Sequence, residues 1–167
     1  MIFVTRISLV RAVFLVACAM ASASAFAFSF NGVSIGMSRQ DYQSKYSNES
    51  CQALKKDEFH CFYVASILVD PIPKGLGSYG NIPIDVLTIS FRKDSICEIA
   101  LKVEGKYSDL FIKALTKELG EPRPTTFPRF KSLDWSQAEY VAGLTVIESQ
   151  GFVHFSARGR KCLPADE

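Results

Sequence analysis

Residues 84–105, IDVLTISFRKDSICEIALKVEG, alternate apolar and polar side chains through two runs separated by a polar turn. Successive side chains of a strand point to opposite faces, so this pattern demands a sheet with one face buried and the other wet. Leu87, Ile89 and Phe91 share one face of the first run, Arg92 to Ser95 form the turn, and Cys97, Ile99, Leu101 and Val103 share one face of the returning run. The segment is predicted as an antiparallel β-hairpin. A sheet of this kind needs other elements packed over its apolar face.

Two segments have the helical period. In GMSRQDYQSKY, Ser38 stands as an N-cap with Asp41 three residues on, and Met37 and Tyr42 flank the cap as a hydrophobic staple; a short helix from Arg39 to about Tyr46 follows. In KYSDLFIKALTKELGEP, Phe111, Leu115 and Leu119 line one side with Leu110 and Ala114 beside them. Gly120 stands at the C-cap position and Pro122 prevents continuation. EFHCFYVASILVD, residues 58–70, reads as a strand ended by Pro71. The stretch from Phe127 to Cys162 reads as three antiparallel strands, breaking near Ser136 to Glu139 and at Gln150-Gly151, with Tyr140, Leu144, Val146, Val153, Phe155 and Ala157 facing inward. The expected fold class is α+β, an antiparallel sheet with two helices in the order α-β-loop-ββ-α-βββ.

Between the first strand and the hairpin lies Gly75-x-Gly77-x-x-Gly80, the spacing of a dinucleotide-binding turn. Such a turn holds a pyrophosphate because it opens a helix whose N–H groups face the phosphate. Here the chain continues Asn81-Ile82-Pro83-Ile84 into a strand, so no cofactor is expected. With three prolines and three glycines from Pro71 to Pro83, the loop has two readings. Gly75, Gly77, Tyr79 and Gly80 form a projecting partner-binding loop with Tyr79 as its anchor, or Tyr79 folds back on the sheet.

The first residues carry Arg6 and Arg11 with no acid, then the apolar AVFLVACAMA and the small-residue run SASAFA. That is the three-part order of a secretory signal, and its apolar core is well short of the roughly 20 residues that span a bilayer. The expected organisation is a signal peptide over 1–27, cleaved after Ala27, and a single domain over 28–167 without a transmembrane segment, periplasmic or secreted. A rival address lies inside it, since Leu15-Val16-Ala17-Cys18 resembles a lipobox that would lipidate Cys18. Loss of both signal arginines leaves 17 basic against 17 acidic residues, so composition makes no case for nucleic acid or an anionic membrane as partner. Cys51, Cys61, Cys97 and Cys162 remain, an even number that reads as two disulfides in an oxidising compartment. Of three connectivities, Cys51 to Cys61 with Cys97 to Cys162 is expected: one clips CQALKKDEFHC locally and the other ties a central strand to the chain's end. No C-x-x-C or H-x-x-x-H spacing suggests a metal.

Catalytic constellations are thin. His60 lies at a strand start, His154 falls on the solvent face between Val153 and Phe155, and no G-x-S-x-G elbow occurs. Trp135 reads as core or sheet edge, and Arg158, Arg160 and Lys161 as a solvated end pinned by Cys162. No residue is assigned a catalytic role.

FNGVSIGMSRQDYQSKY before the first helix, and LTKELGEP ending the second, resemble the two helix-plus-sheet units of small exported bacterial proteins of the SmpA/OmlA type and of the β-lactamase-inhibitor-protein-like fold. The resemblance implies a non-enzymatic module whose sheet and loops bind another extracytoplasmic protein, as an inhibitor, chaperone or envelope-assembly factor. The alternative is a small extracytoplasmic hydrolase or ligand-binding enzyme, its site assembled from residues distant in sequence such as His60 and His154.

Overall fold

The computed structural model describes residues 27–46, 51–55, 57–65, 71–147 and 151–162. Residues 1–26 of the expected signal peptide, Cys18 among them, and the stretch 66–70 that the sequence assigns to a strand lie outside them.

The alternating segment folds as expected. Strands β7 (Val86–Arg92) and β8 (Ser95–Glu104) form an antiparallel hairpin turned by Lys93 and Asp94, both at positive φ (48° and 60°). Two consecutive left-handed residues give a turn whose twist matches that of the strands it joins. Leu87, Ile89, Phe91, Ile99, Leu101 and Val103 are all buried. One register shift alters the expected pattern: Ser90 faces Glu98 but Phe91 faces Ile96, so Cys97 is an extra, bulged residue. Ile96 therefore takes the core position opposite Phe91, and Cys97 leaves the row of Ile99, Leu101 and Val103 to line a depression with Ser90 and Glu98.

Around this hairpin lies an eight-stranded antiparallel sheet in the order β3-β4-β7-β8-β12-β11-β10-β9. It adds β3 (Cys51–Lys55), β4 (Glu58–Val64), β9 (Arg123–Phe127), β10 (Phe130–Ser136), β11 (Tyr140–Ile147) and β12 (Phe152–Gly159). The expected element order is corrected in three places. CQALK is the edge strand β3 rather than a connection, and four strands rather than three follow the second helix because Pro128-Arg129 makes a further turn. Two small hairpins also appear, β1 (Ser29–Phe30) with β2 (Val33–Ser34) and β5 (Ser78–Tyr79) with β6 (Ile82–Pro83).

The sheet is two units joined at a seam. Helix α1 (Arg39–Lys45) precedes β3, β4, β7 and β8; helix α2 (Ser108–Leu119), entered through a 3₁₀ turn at Gly105–Tyr107, precedes β9 to β12. The last strand of each unit pairs with the other, β8 with β12, from Glu104–Phe152 to Glu98–Arg158. At one end of the seam Gly105 N–H donates to the Gly151 carbonyl at 2.8 Å. A Cβ on Gly105 would lie 2.9 Å from that carbonyl, so the contact admits only glycine.

One face of the sheet carries the core. Tyr42 of α1 meets Phe91 edge-on at 5.4 Å, Phe111 of α2 meets Phe155 at 6.0 Å, and Phe28 meets Phe155 at 5.2 Å. The helix ends are tied as the sequence implies. Ser38 Oγ accepts from the Asp41 N–H at 3.0 Å, and Gly120 (φ 85°) closes α2. Trp135, buried in the core, donates its indole N–H to the Gly120 carbonyl at 2.8 Å, and Gln137 Nε2 donates to the Leu119 carbonyl at 2.9 Å. Two carbonyls at the exit of α2 thus find partners in and just beyond β10. Both disulfides form with the expected pairing, Cys51–Cys61 and Cys97–Cys162. The first joins directly opposite residues of β3 and β4; the second crosses the seam. Among the described residues no helix is long and apolar enough to cross a membrane.

Candidate functional site

Alternation that buries one face of the sheet turns a second set of side chains the other way, and no described helix or hairpin packs over them; the turn at Arg160–Cys162 meets one margin. Cross-strand register aligns them in rows. His60, Ser90, Glu98 and Arg158 stand directly opposite one another on β4, β7, β8 and β12. The next row runs Phe62, Thr88, Ala100, Ser156, Gly143 and Asp134, and a third holds Lys102, His154, Thr145 and Ser132. Two shallow depressions mark this face, of about 410 and 310 Å³, and Arg158 borders both.

Polar contacts organise the rows. Ser156 Oγ donates to Glu98 Oε1 at 2.5 Å, and Arg158 Nη2 donates to the same oxygen at 2.9 Å. Glu98 is thereby fixed between two strands with its charge compensated. Ser90 Oγ lies 3.2 Å from His60 Nδ1. Arg92 sits 3.9 Å from Glu58 and donates to the Cys162 carbonyl at 3.2 Å, tying the turn at Arg160–Cys162 to this margin. Small residues at Ala100, Gly143 and Ser156 keep the middle low while Arg158, Asp134, His154 and Phe62 stand exposed around it.

The Ser90–His60 contact invites comparison with acyl-transfer chemistry. There the histidine stands between serine and carboxylate, one ring nitrogen to each. Here the serine is in the middle: Glu98 lies one strand beyond Ser90, away from His60, and is occupied by Ser156 and Arg158. The flanking backbone N–H groups belong to the β4, β7 and β8 ladders, not to a cluster aimed at a developing oxyanion. Among the described residues no group of three or more His, Cys, Asp or Glu is placed to hold a metal ion.

The glycine loop lies on the opposite side of the sheet. Its Tyr79 ring stacks over Phe30 at 6.1 Å and meets Phe111 edge-on at 5.3 Å, and its hydroxyl donates to Glu118 of α2. Burial, reinforced by that bond, holds the Tyr79 hydroxyl well above the usual tyrosine range. Asn31 Nδ2 donates to the carbonyls of Gly75 and Ser78 at 2.9 and 2.7 Å, and Leu76 is fully buried. Tyr79 is thus packed against Phe30 and α2 and does not project as an anchor, while Gly75, Gly77 and Gly80 are exposed. After Gly80 the chain enters β6, with no helix to receive a phosphate.

Sequence reasoning offered His60 and His154 as members of one site, but they border different depressions here; it placed Arg158 only at a solvated end, and it passed over Ser90, Glu98, Asp134, Gly143 and Ser156. The usable signal was the polar half of each alternating strand. Comparison with protein-family models, curated proteins and solved structures finds no match for this chain.

Proposed function

We propose that the protein is an exported, non-enzymatic binding module that grips another extracytoplasmic protein with the uncovered face of its sheet. The observation that carries this is the asymmetry of the eight strands. Helices and hairpins cover one face; the other presents aligned rows of polar side chains, low in the middle, on a rigid scaffold. A preorganised surface of this kind binds without losing much conformational freedom. Two helix-plus-four-strand units joined edge to edge also support the resemblance to SmpA/OmlA-type and β-lactamase-inhibitor-protein-like modules. The two disulfides and the N-terminal apolar stretch support export to a periplasm or beyond.

Cross-linking and capture of the tagged protein from its extracytoplasmic fraction tests this, with two variants of intact thermal unfolding. Gly143→Arg, which fills the middle of the open face, loses a stoichiometric partner; Leu110→Arg, on the outside of α2, keeps it. A partner retained by Gly143→Arg moves the contact elsewhere, and no partner at all ends the proposal.

A small hydrolase is the second reading, and it rests on the Ser90–His60 contact alone, with no carboxylate among the described residues placed to orient His60. It predicts covalent labelling of Ser90 by a serine-directed phosphonate, abolished in His60→Ala; an unlabelled wild-type protein removes it.

A further inference from the structure

The hairpin of β9 and β10 forms one edge of the sheet: β10 pairs with β11 from Lys131 to Ser136, and the turn from Phe127 to Phe130 lies beyond that pairing. All five residues of β9 are exposed, as are Pro128, Arg129, Phe130 and Lys131. Lys131 and Thr126, paired across the hairpin, are turned to the side that the helices cover farther along β10, yet nothing covers them; burial begins only at Leu133. At the tip Phe127 and Phe130 stack on each other with ring centres 4.4 Å apart, and they remain 44% and 37% exposed. From Pro122 to Leu133 the chain holds three cations, Arg123, Arg129 and Lys131, and no acid. None of the three has an ion-pair partner among the described residues.

We propose that this tip docks the protein on an anionic lipid surface, with Phe127 and Phe130 entering the headgroup boundary and Arg129 and Lys131 meeting lipid phosphates. Three observations choose a membrane over a protein partner. The rings stand exposed at a turn, so they suit a surface that yields around them; a protein would need a matching cavity. Its charge is of one sign over twelve residues, in a domain whose remaining 14 basic and 17 acidic residues leave the rest slightly acidic, so the tip is the part that fits a planar array of phosphates. Its apolar element is a pair of rings at the outermost point with cations beside them, the arrangement of side chains that settle at a bilayer interface. The docking is peripheral and salt-sensitive, because attraction to a charged surface fades within a Debye length.

Sedimentation of the full chain with vesicles tests the proposal. Vesicles of phosphatidylcholine alone are compared with vesicles that also contain phosphatidylglycerol, for the wild type, the Phe127→Ser/Phe130→Ser double variant, Arg129→Glu, and Leu110→Ser as a control exposed apolar residue on α2. Any affinity of the N-terminal apolar stretch is common to all four, so the readout is the gain in binding that phosphatidylglycerol produces. That gain is expected to fall by about tenfold or more in both hairpin variants, to be unchanged in Leu110→Ser, and to vanish near 1 M salt, where the Debye length is about 3 Å. Thermal unfolding of the variants shows whether each is folded. A wild type with no such gain, or a gain that folded hairpin variants retain, overturns the proposal; a captured protein that needs Phe127 and Phe130, without vesicle binding, overturns it in favour of a protein contact.

Discussion

Tyr42 is fully buried against Phe91 and Tyr46, and its hydroxyl meets that of Tyr63 at 3.0 Å. Burial, then the bond to Tyr63, holds its proton well above the ordinary tyrosine range, as burial and Glu118 do for Tyr79. A raised folded-state value means that the unfolded chain releases protons first. The stability these hydroxyls contribute is complete below the unfolded tyrosine value of about 10 and is lost as pH rises above it. Each such tyrosine steepens the loss by about 1.4 kcal/mol per pH unit. Urea unfolding between about pH 9 and pH 11.5 is expected to show the wild type losing stability faster than Tyr42→Phe, by about that slope. Parallel pH profiles would mean that Tyr42 ionises in the folded protein as it does in water.

Among the elements, the β7–β8 hairpin carries an avoidable strain. Its turn places Lys93 and Asp94 in left-handed conformations that Asn and Gly adopt at less cost. Lys93→Asn with Asp94→Gly is expected to stabilise the protein by about 1 kcal/mol, seen as a rise in the urea midpoint with unchanged slope. This hairpin was legible in the sequence because half of each strand is buried, and α2 was legible because Phe111, Leu115 and Leu119 face one way. Strands β3 and β9 were not, since burial writes the alternation and these edges have almost none: all of β9 and four of the five residues of β3 are exposed. The open face was half legible. Its side chains are the polar members of each alternating strand, yet which of them meet depends on register. The bulge at Cys97 sets Glu98 against Ser90 on one side while Arg158 stands on the other, a matter of pairing between distant strands that no single segment records.

At the scale of the whole molecule the two disulfides do different work. Cys51–Cys61 spans 10 residues within one unit, whereas Cys97–Cys162 spans 65 and fastens the end of the second unit to the first. Loop-closure entropy assigns them about 3 and 4 kcal/mol. Replacement of both cysteines of the longer bridge by alanine is expected to lower the urea midpoint further than the same change at the shorter one. A reversed order would show that the β3 edge depends on its staple more than the seam does. The seam itself has a wider consequence. Because β8 and β12 close each unit against the other, the connection through the 3₁₀ turn delivers α2 and the second set of strands to the first. Severed there, the chain would yield two complementary fragments, each with a bare strand edge seeking the other. Oxidation of Cys97 with Cys162 would then weld the reunited fragments, making the fold a split protein that records its own reassembly as a covalent bond.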